Sequence, residues 1–406
     1  MTYQRIVVGF SGGLDTTFCV AYFKETTKAE IVTVTVDTGG FTREERQAIA
    51  ARAKEIGAAR HILVDARAEA YERVMRRCVQ GNVLRGSVYP LCVSAERVTQ
   101  AEVLVREAKK VGADAIAHGS TGAGNDQVRF DVAIRTLAPE IAILTPIREL
   151  ALSRVAEVDW LKARDILVPE KRGTYSINAG MWGVTIGGGP THDSWATIPD
   201  DAYPNVIPAA NAPAGGADVV LSFEHGMPVS LDGAALDGPA VVERLNALGA
   251  MHGVGRGVHV GDTIVGLKGR IAFEAPAAMV LVAAHRELEK LVLTRWQQFW
   301  KDKIADFYGM MLHEAMFYDP VMRDIEALVE SSQARVTGDV RVHLERGVIR
   351  VDGAKSAFSL MTAAAGTYGE AHALWDGRDA EGFTRIYGLQ GRLAADAGRS
   401  ADGRNS

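Results

Sequence analysis

Along the first 165 residues the apolar positions switch between two periods. RIVVGF at 5–10 is β-branched and almost wholly apolar, as a strand buried on both faces must be. Leu14, Phe18, Ala21 and Tyr22 then recur at helical spacing. EIVTVTVD at 30–37 predicts a second strand, TREERQAIAARAKEIG at 42–57 a helix ended by Gly57, and HILVD at 61–65 a third strand. Ser94 is expected to open a helix through Lys110, with Val98, Ala101, Val105 and Ala108 on its inner face. DAIAHG at 114–119 and AILTP at 142–146 predict two further strands. This rhythm predicts an α/β fold with a doubly wound parallel sheet. Ligands of such sheets sit beyond the carboxyl ends of the strands, so the Gly-rich loops at 11–13 and 119–125 are expected to share one crevice.

The pattern then changes. Residues 187–217 are rich in Gly, Pro, Asp and Ala and predict a long irregular connection. DVVLSFEHGMPVSLDG at 218–233 has a hairpin pattern, 276–315 predicts one long helical stretch, and 334–353 two antiparallel strands. An amphipathic helix is expected over 379–397, followed by a disordered tail. The expected division is a sheet domain at 1–167, an α+β domain at 168–378, and a C-terminal helix with its tail at 379–406.

Composition adds exclusions. The 406 residues carry 45 basic and 50 acidic side chains, a net charge of -5, which gives no electrostatic footprint for nucleic acid or an anionic membrane. Cys19, Cys78 and Cys92 are too few and too scattered for a disulfide framework or a zinc site, so a reducing cytoplasm is the expected compartment. The opening residues lack a secretory-leader layout, and no apolar run reaches membrane-spanning length.

The loop GFSGGLDTT at 9–17 follows the first strand directly. Successive backbone N–H groups in a Gly-rich turn form an anion nest, and the helix behind it adds its positive dipole end. The hydroxyls of Ser11, Thr16 and Thr17 add donors. Asp15 is repelled by bare phosphate, so it either meets Mg2+ bridging to the phosphates or caps the helix. No Walker A motif and no GxGxxG dinucleotide loop is present. In AHGSTGAGNDQVRFDV at 117–132, Thr121, Asn125 and Asp126 suit the carboxylate and ammonium of an amino acid, and Arg129 offers a fork for a second carboxylate. His118 is equally well read as a satisfied strand-end histidine.

The SGGxD[ST] loop resembles the pyrophosphate-binding loop of the N-type ATP pyrophosphatases, enzymes that cleave ATP between its α and β phosphates. The second loop, with YPLCVSAERV (89–98), YSINAGMWG (175–183), EAP (274–276), RVTGDVRV (335–342) and DAEGF (379–383), is similar to the argininosuccinate synthase family, in that family's order and over nearly the whole chain. The resemblance implies a nucleotide-binding domain followed by a synthetase domain with a C-terminal oligomerisation helix. It also implies a carbon–nitrogen ligase that joins citrulline to aspartate with ATP and Mg2+, in a homotetramer. The alternative is a related adenylating ligase using aspartate with another ureido or amide substrate.

By this resemblance Gly9, Phe10, Ser11, Gly12, Gly13, Leu14, Asp15, Thr16, Thr17, Val36 and Gly119 hold ATP. Thr121, Asn125 and Asp126 would hold aspartate, and Tyr89, Ser94, Asn125, Arg129, Ser176 and Thr185 citrulline. Asp15, Asp126 and Arg129 would take the catalytic roles, and no dedicated metal-ligand set is assigned. The chain departs from the family pattern at Cys92 and Val93 (Gly-Thr in the family), Thr185 (Ser), Gly261 (Glu) and Phe273 (Tyr), with Asp262 placed to meet the substrate ammonium.

Overall fold

The computed structural model describes residues 3–167, 175–363 and 374–402. Strands β1 (Arg5–Gly9), β2 (Glu30–Asp37), β3 (Arg60–Asp65), β4 (Ala115–Ala117) and β5 (Ala142–Leu144) form a parallel sheet in the order β3-β2-β1-β4-β5. The all-apolar first strand sits at its centre because both of its faces are covered. Ile6 and Val8 pack with Phe18 and Cys19 of α1 (Leu14–Thr26) and Ile49 of α2 (Arg43–Glu55). Val7 faces the other way, towards the core that holds Leu104 and Ile134. Strand order reverses at β1, so the loops after β1 and β4 flank the switch point where such sheets bind ligands.

A short α3 (Arg67–Ala70) runs through a π-helical turn into α4 (Arg76–Gly81). It is followed by α5 (Glu96–Val111), α6 (Asn125–Leu137), α7 (Pro146–Glu149) and α8 (Arg154–Lys162). The α5 helix starts at Glu96 rather than at Ser94, because Leu91 and Val93 sit at φ +60° and +63° and hold residues 91–94 in a tight turn. A β-branched residue in the left-handed region costs on the order of 1–3 kcal/mol, and such strain gathers at ligand sites.

Four strands that the sequence pattern did not announce make a second sheet. They are β6 (Ser176–Gly180), β7 (Gly183–Gly187), β11 (Arg256–Asp262) and β12 (Lys268–Glu274), in the antiparallel order β11-β12-β7-β6. A third sheet, β10-β9-β8-β13-β14, comprises β8 (Ala217–Glu224), β9 (Met227–Leu231), β10 (Ala234–Ala235), β13 (Gly338–Glu345) and β14 (Val348–Lys355). The expected hairpins at 218–233 and 334–353 are both in it. The 187–217 connection carries only short 3-10 turns.

α9 (Gly238–Met251) and α10 (Pro276–Val292) cover this part, with α11 (Arg295–His313) and α12 (Val321–Ser332) beyond. The single helix expected over 276–315 is therefore two. Thr294 takes an extended conformation and forms a capping box with Gln297, which ends one helix and starts the next. The ends of α10 and α11 are tied by a buried ion pair, Glu289–Lys301 at 2.5 Å, in a network with Asn82, His285 and Gln333.

The first three-and-a-half hundred residues, to Ala357, form one compact unit, and 358–406 a second. The second contains α13 (Leu360–Ala363), α14 (Gly377–Tyr387) and α15 (Leu389–Asp402). Asp376 caps α14 through a capping box with Asp379. The one amphipathic helix expected here is thus a pair joined at Gly388, and helix continues through 398–402 where a disordered tail was expected.

Candidate functional site

The loop after β1 is built from backbone. Gly12 adopts φ +73°, a conformation that favours glycine, and a Cβ there would stand 3.1 Å from Ile49. Gly13 is the N-cap of α1 in extended conformation, and no side chain caps it. The first intrahelical bond runs from Thr17 N–H to the Gly13 carbonyl, so the N–H groups of Leu14, Asp15 and Thr16 are helix-start donors without an intrahelical acceptor. Ser11 and Thr16 make only long mutual contacts, with Oγ to Oγ1 at 3.3 Å and Gly13 N–H to Ser11 Oγ at 3.4 Å. Their hydroxyls are weakly committed. Thr17 is different: it is fully buried, and its hydroxyl accepts from Arg52 Nε at 3.0 Å. Phe10, Leu14 and Val36 are buried floor residues, and the Phe10 carbonyl accepts from Thr35 at 2.6 Å.

The second loop lies directly against the first. A Cβ at Gly119 would stand 3.0 Å from Asp15 Cβ, 3.1 Å from its carbonyl carbon and 3.3 Å from Thr16 N. Only a residue without a side chain lets the end of β4 approach the first turn of α1 this closely. His118 is satisfied by Asp131 at 2.9 Å, the structural reading of that residue. Thr121 is exposed; Asn125 and Asp126 begin α6. Asp126 lies between two guanidiniums, Arg97 at 2.8 Å and Arg129 at 3.0 Å. Burial alone would raise its carboxyl, but these two charges hold it well below the usual range.

Asp15 does not cap the helix. Its carboxylate lies 4.0 Å from Arg154, and Glu157 of α8 approaches it. Burial raises Asp15, and burial together with the Asp15 charge pushes Glu157 up to about 8. Glu157 is almost fully buried, and its Oε2 has no hydrogen-bond partner. The Asp15 carboxylate, in the first turn of α1 beside the glycine loop, is a hard oxygen donor of the kind that Mg2+ takes. Among the described residues no group of three or more His, Cys, Asp or Glu forms a metal cage.

A second cluster of the expected site residues gathers around Tyr89. Tyr89 is buried, donates its hydroxyl to the Cys92 carbonyl at 2.7 Å, and packs against Phe273 with ring centroids 5.3 Å apart. Phe273 pairs with Thr185 across β12 and β7. Arg129 reaches the same place from α6, and Ser94 is buried close by. Asn125 Oδ1 accepts from Ile264 N–H at 2.9 Å, which closes the β11–β12 turn over the start of α6. Ser176 is exposed on the edge strand β6. The Asp262 carboxylate pairs with Lys268 at 2.6 Å, and only its backbone carbonyl joins the cluster.

Several residues here carried no local signal in the sequence. Glu96 is one: it accepts from Thr38 Oγ1 at 2.7 Å and from Trp182 N–H at 2.9 Å, bridging the end of β2 to the β6–β7 turn, and burial raises it to about 7. Arg85, Arg97, His259 and His313 are others, brought in from four separate segments. Arg256, at the start of β11, is structural: it pairs with Asp200 at 2.5 Å and lies 4.3 Å from the Tyr203 ring.

A parallel sheet with a glycine-rich loop at its switch point, joined to antiparallel sheets, is the architecture of a nucleotide-binding α/β domain carrying a second, α+β part. The comparisons narrow this. Residues 5–167 match the arginosuccinate synthase N-terminal HUP domain, and 175–394 match the arginosuccinate synthase C-terminal domain. The argininosuccinate synthase of Xanthomonas campestris pv. campestris is 40% identical over 403 residues, covering 98% of this chain and 100% of the relative. That of Pyrococcus furiosus is 37% identical over 391 residues (96% and 94%), and that of Thermosynechococcus vestitus 38% over 395 residues (97% and 98%). The chain belongs to the argininosuccinate synthase family and is a carbon–nitrogen ligase that uses ATP.

Proposed function

We propose that the chain condenses citrulline with aspartate in two steps on the residues described. The ureido oxygen of citrulline attacks the α-phosphorus of ATP, the bond to the β-phosphate breaks, and pyrophosphate leaves into the nest of Ser11, Gly12, Gly13, Leu14 and Thr16, which Thr17 supports from below. Gly9, Phe10, Val36 and Gly119 line the rest of the nucleotide site. Mg2+, when bound through Asp15, supplies charge neutralisation for the departing pyrophosphate. Thr121, Asn125 and Asp126 hold aspartate. Its amine, after losing a proton, attacks the activated carbon, and AMP leaves with the electrons of the C–O bond. Arg129, Tyr89, Ser94, Ser176, Thr185 and Phe273 form the citrulline side, to which Asp262 brings only its backbone carbonyl, with Asp126 and Arg129 linking both substrates. The chain supplies positioning and fixed charge rather than a nucleophile.

The observation that carries this reading is the contact of Gly119 with the first turn of α1, which sets the nest and the Asn125–Arg129 segment side by side. The division of labour follows: 1–167 for the nucleotide, 168–378 for the acceptor and assembly, 379–406 for assembly. A homotetramer is supported by a stripe of exposed Trp296, Phe299, Trp300, Phe307 and Met310 on α11, and by exposed Phe383, Ile386 and Tyr387 on α14. Three free, buried cysteines support a reducing, cytoplasmic setting.

The test is AMP release by the purified protein with ATP, Mg2+ and aspartate, with and without citrulline. Citrulline-dependent AMP matched by argininosuccinate is the expected result. Folded, ATP-binding protein that makes neither product overturns the reading.

A further inference from the structure

The turn between β6 and β7 is held from several sides. Met181 N–H donates to the Thr38 carbonyl at 2.9 Å, and the Met181 carbonyl accepts from Asn246 Nδ2 at 2.8 Å. The fully buried Trp182 donates from Nε1 to the Pro90 carbonyl, next to Tyr89, at 2.7 Å. Thr38 follows directly on β2, two residues beyond Val36. The turn therefore touches both the end of a nucleotide-side strand and the segment that carries Tyr89.

Glu96 closes this junction from the first turn of α5, and it is 1% exposed. Its Oε2 accepts from Thr38 Oγ1 at 2.7 Å and its Oε1 from Trp182 N–H at 2.9 Å. Gln100, one turn further along α5, donates to the same Thr38 hydroxyl at 3.2 Å. The glycines here make the close approach possible. A Cβ at Gly180 would overlap the Glu96 carboxylate, and one at Gly39 would stand 2.7 Å from Met181 Cβ. The next residue, Arg97, pairs with Asp126 at 2.8 Å, so the start of α5 ties the end of β2, the β6–β7 turn and the start of α6 into one frame.

A side chain that merely filled this space would be apolar, because burying a carboxylate is costly and pushes Glu96 up to about 7. Two directed acceptors do what an apolar side chain does not: they fix distance and angle to two separate sheets at once. We infer that Glu96 is a positioning residue for the adenylation step, setting β6 and β7, with Ser176 and Thr185, against the β2 end of the nucleotide site. The inference rests on the function proposed above. In that step the bond from the ureido oxygen to the α-phosphorus forms as the bond to pyrophosphate breaks. The two reactants are held by different sheets, so the offset between the sheets governs how well they line up. Glu96 acts on alignment through the strands, and not on the affinity for either substrate.

The test uses the full-length protein with ATP, Mg2+, citrulline and aspartate, well below the melting midpoint of each variant. Glu96→Ala should lower kcat, and the single-turnover rate of pyrophosphate formation, about tenfold or more, with KM for ATP and for citrulline within about threefold. Glu96→Gln should restore kcat to within about threefold of the parent, since its amide oxygen still accepts from Trp182 N–H and its amide nitrogen donates to a lone pair of Thr38 Oγ1. Thr38→Val removes the hydroxyl alone and should show the same split to a smaller extent; it decides the question if Glu96→Ala does not fold. A role in stability alone predicts a lower melting temperature with kcat unchanged, and that result overturns the inference. A loss confined to KM, or a Glu96→Gln as slow as Glu96→Ala, overturns it too. In each of these cases the adenylation reading stands. A parent protein that forms no citrulline-dependent AMP overturns that reading, and the inference with it.

Discussion

The glycine-rich loop after β1 and the cluster around Tyr89 are built by opposite means. The first is seven consecutive residues whose donors are mostly backbone N–H groups, with hydroxyl contacts of 3.3–3.4 Å that leave them weakly engaged. The second is assembled from side chains on residues 85–94, α6, β11, β12 and the end of α11, most of them buried and engaged with one another. A site made of backbone depends on local conformation. A site made of distant side chains depends on the position of every element that carries one.

The largest effect should come from disturbing an element that positions the pocket without touching it. Lys301 holds α11, whose last residue is His313, by its buried pair with Glu289. Lys301→Met leaves Glu289 without its ammonium partner and should cost about 3–5 kcal/mol, read from the urea unfolding midpoint. A cost below about 1 kcal/mol would break the claim that the pocket depends on this tie.

Next comes the seam between loop and pocket. Gly119→Val places atoms where Asp15 and Thr16 already are. It should lower kcat/KM for ATP by about 10²-fold with little change in circular dichroism, since displacements of about an ångström in a reacting geometry cost that much. Near-normal kinetics would mean that the two loops need not touch.

Within the loop, single side chains should matter less. Ser11→Ala removes only long contacts, so stability should move by under about 0.5 kcal/mol. KM for ATP should rise about 5- to 10-fold, the worth of one ordinary hydrogen bond. A large loss of stability would show the loop to be structurally committed, like the pocket.

A pH dependence of stability should arise at Glu96. Its carboxyl is raised by burial from 4.5 to about 7, so the folded state holds a proton that the unfolded state releases. The contribution is fully present below about pH 4.5 and is lost as pH rises through 7. Glu96→Gln should flatten the decline in melting temperature over that window, and an unchanged slope would remove Glu96 as its source.

What could be read in advance divides along the same line. The parallel sheet, its first two helices and the SGGLDTT loop were legible because hydrophobic period and Gly placement act within a few residues. The β6, β7, β11 and β12 sheet was not. Its strands are short, partly exposed and carry six glycines (Gly180, Gly183, Gly187, Gly257, Gly261 and Gly269), so they show neither an apolar run nor a clean alternation. The break between α10 and α11 was missed for a different reason, since the capping box of Thr294 and Gln297 lies inside a continuous helical period.

The sequence by itself determined the anion loop, the parallel topology and the family, because each rests on local order: a glycine that permits φ +73° at position 12, a strand apolar on both faces, segments in a set succession. Only the tertiary structure decided that Asp262 faces Lys268, that His259 stacks on Tyr89, and that Arg85 and Arg129 meet through His313 and the Asp262 carbonyl. These residues lie up to 228 positions apart, between Arg85 and His313, and no local preference records a meeting at that separation. Packing alone brings these charges together.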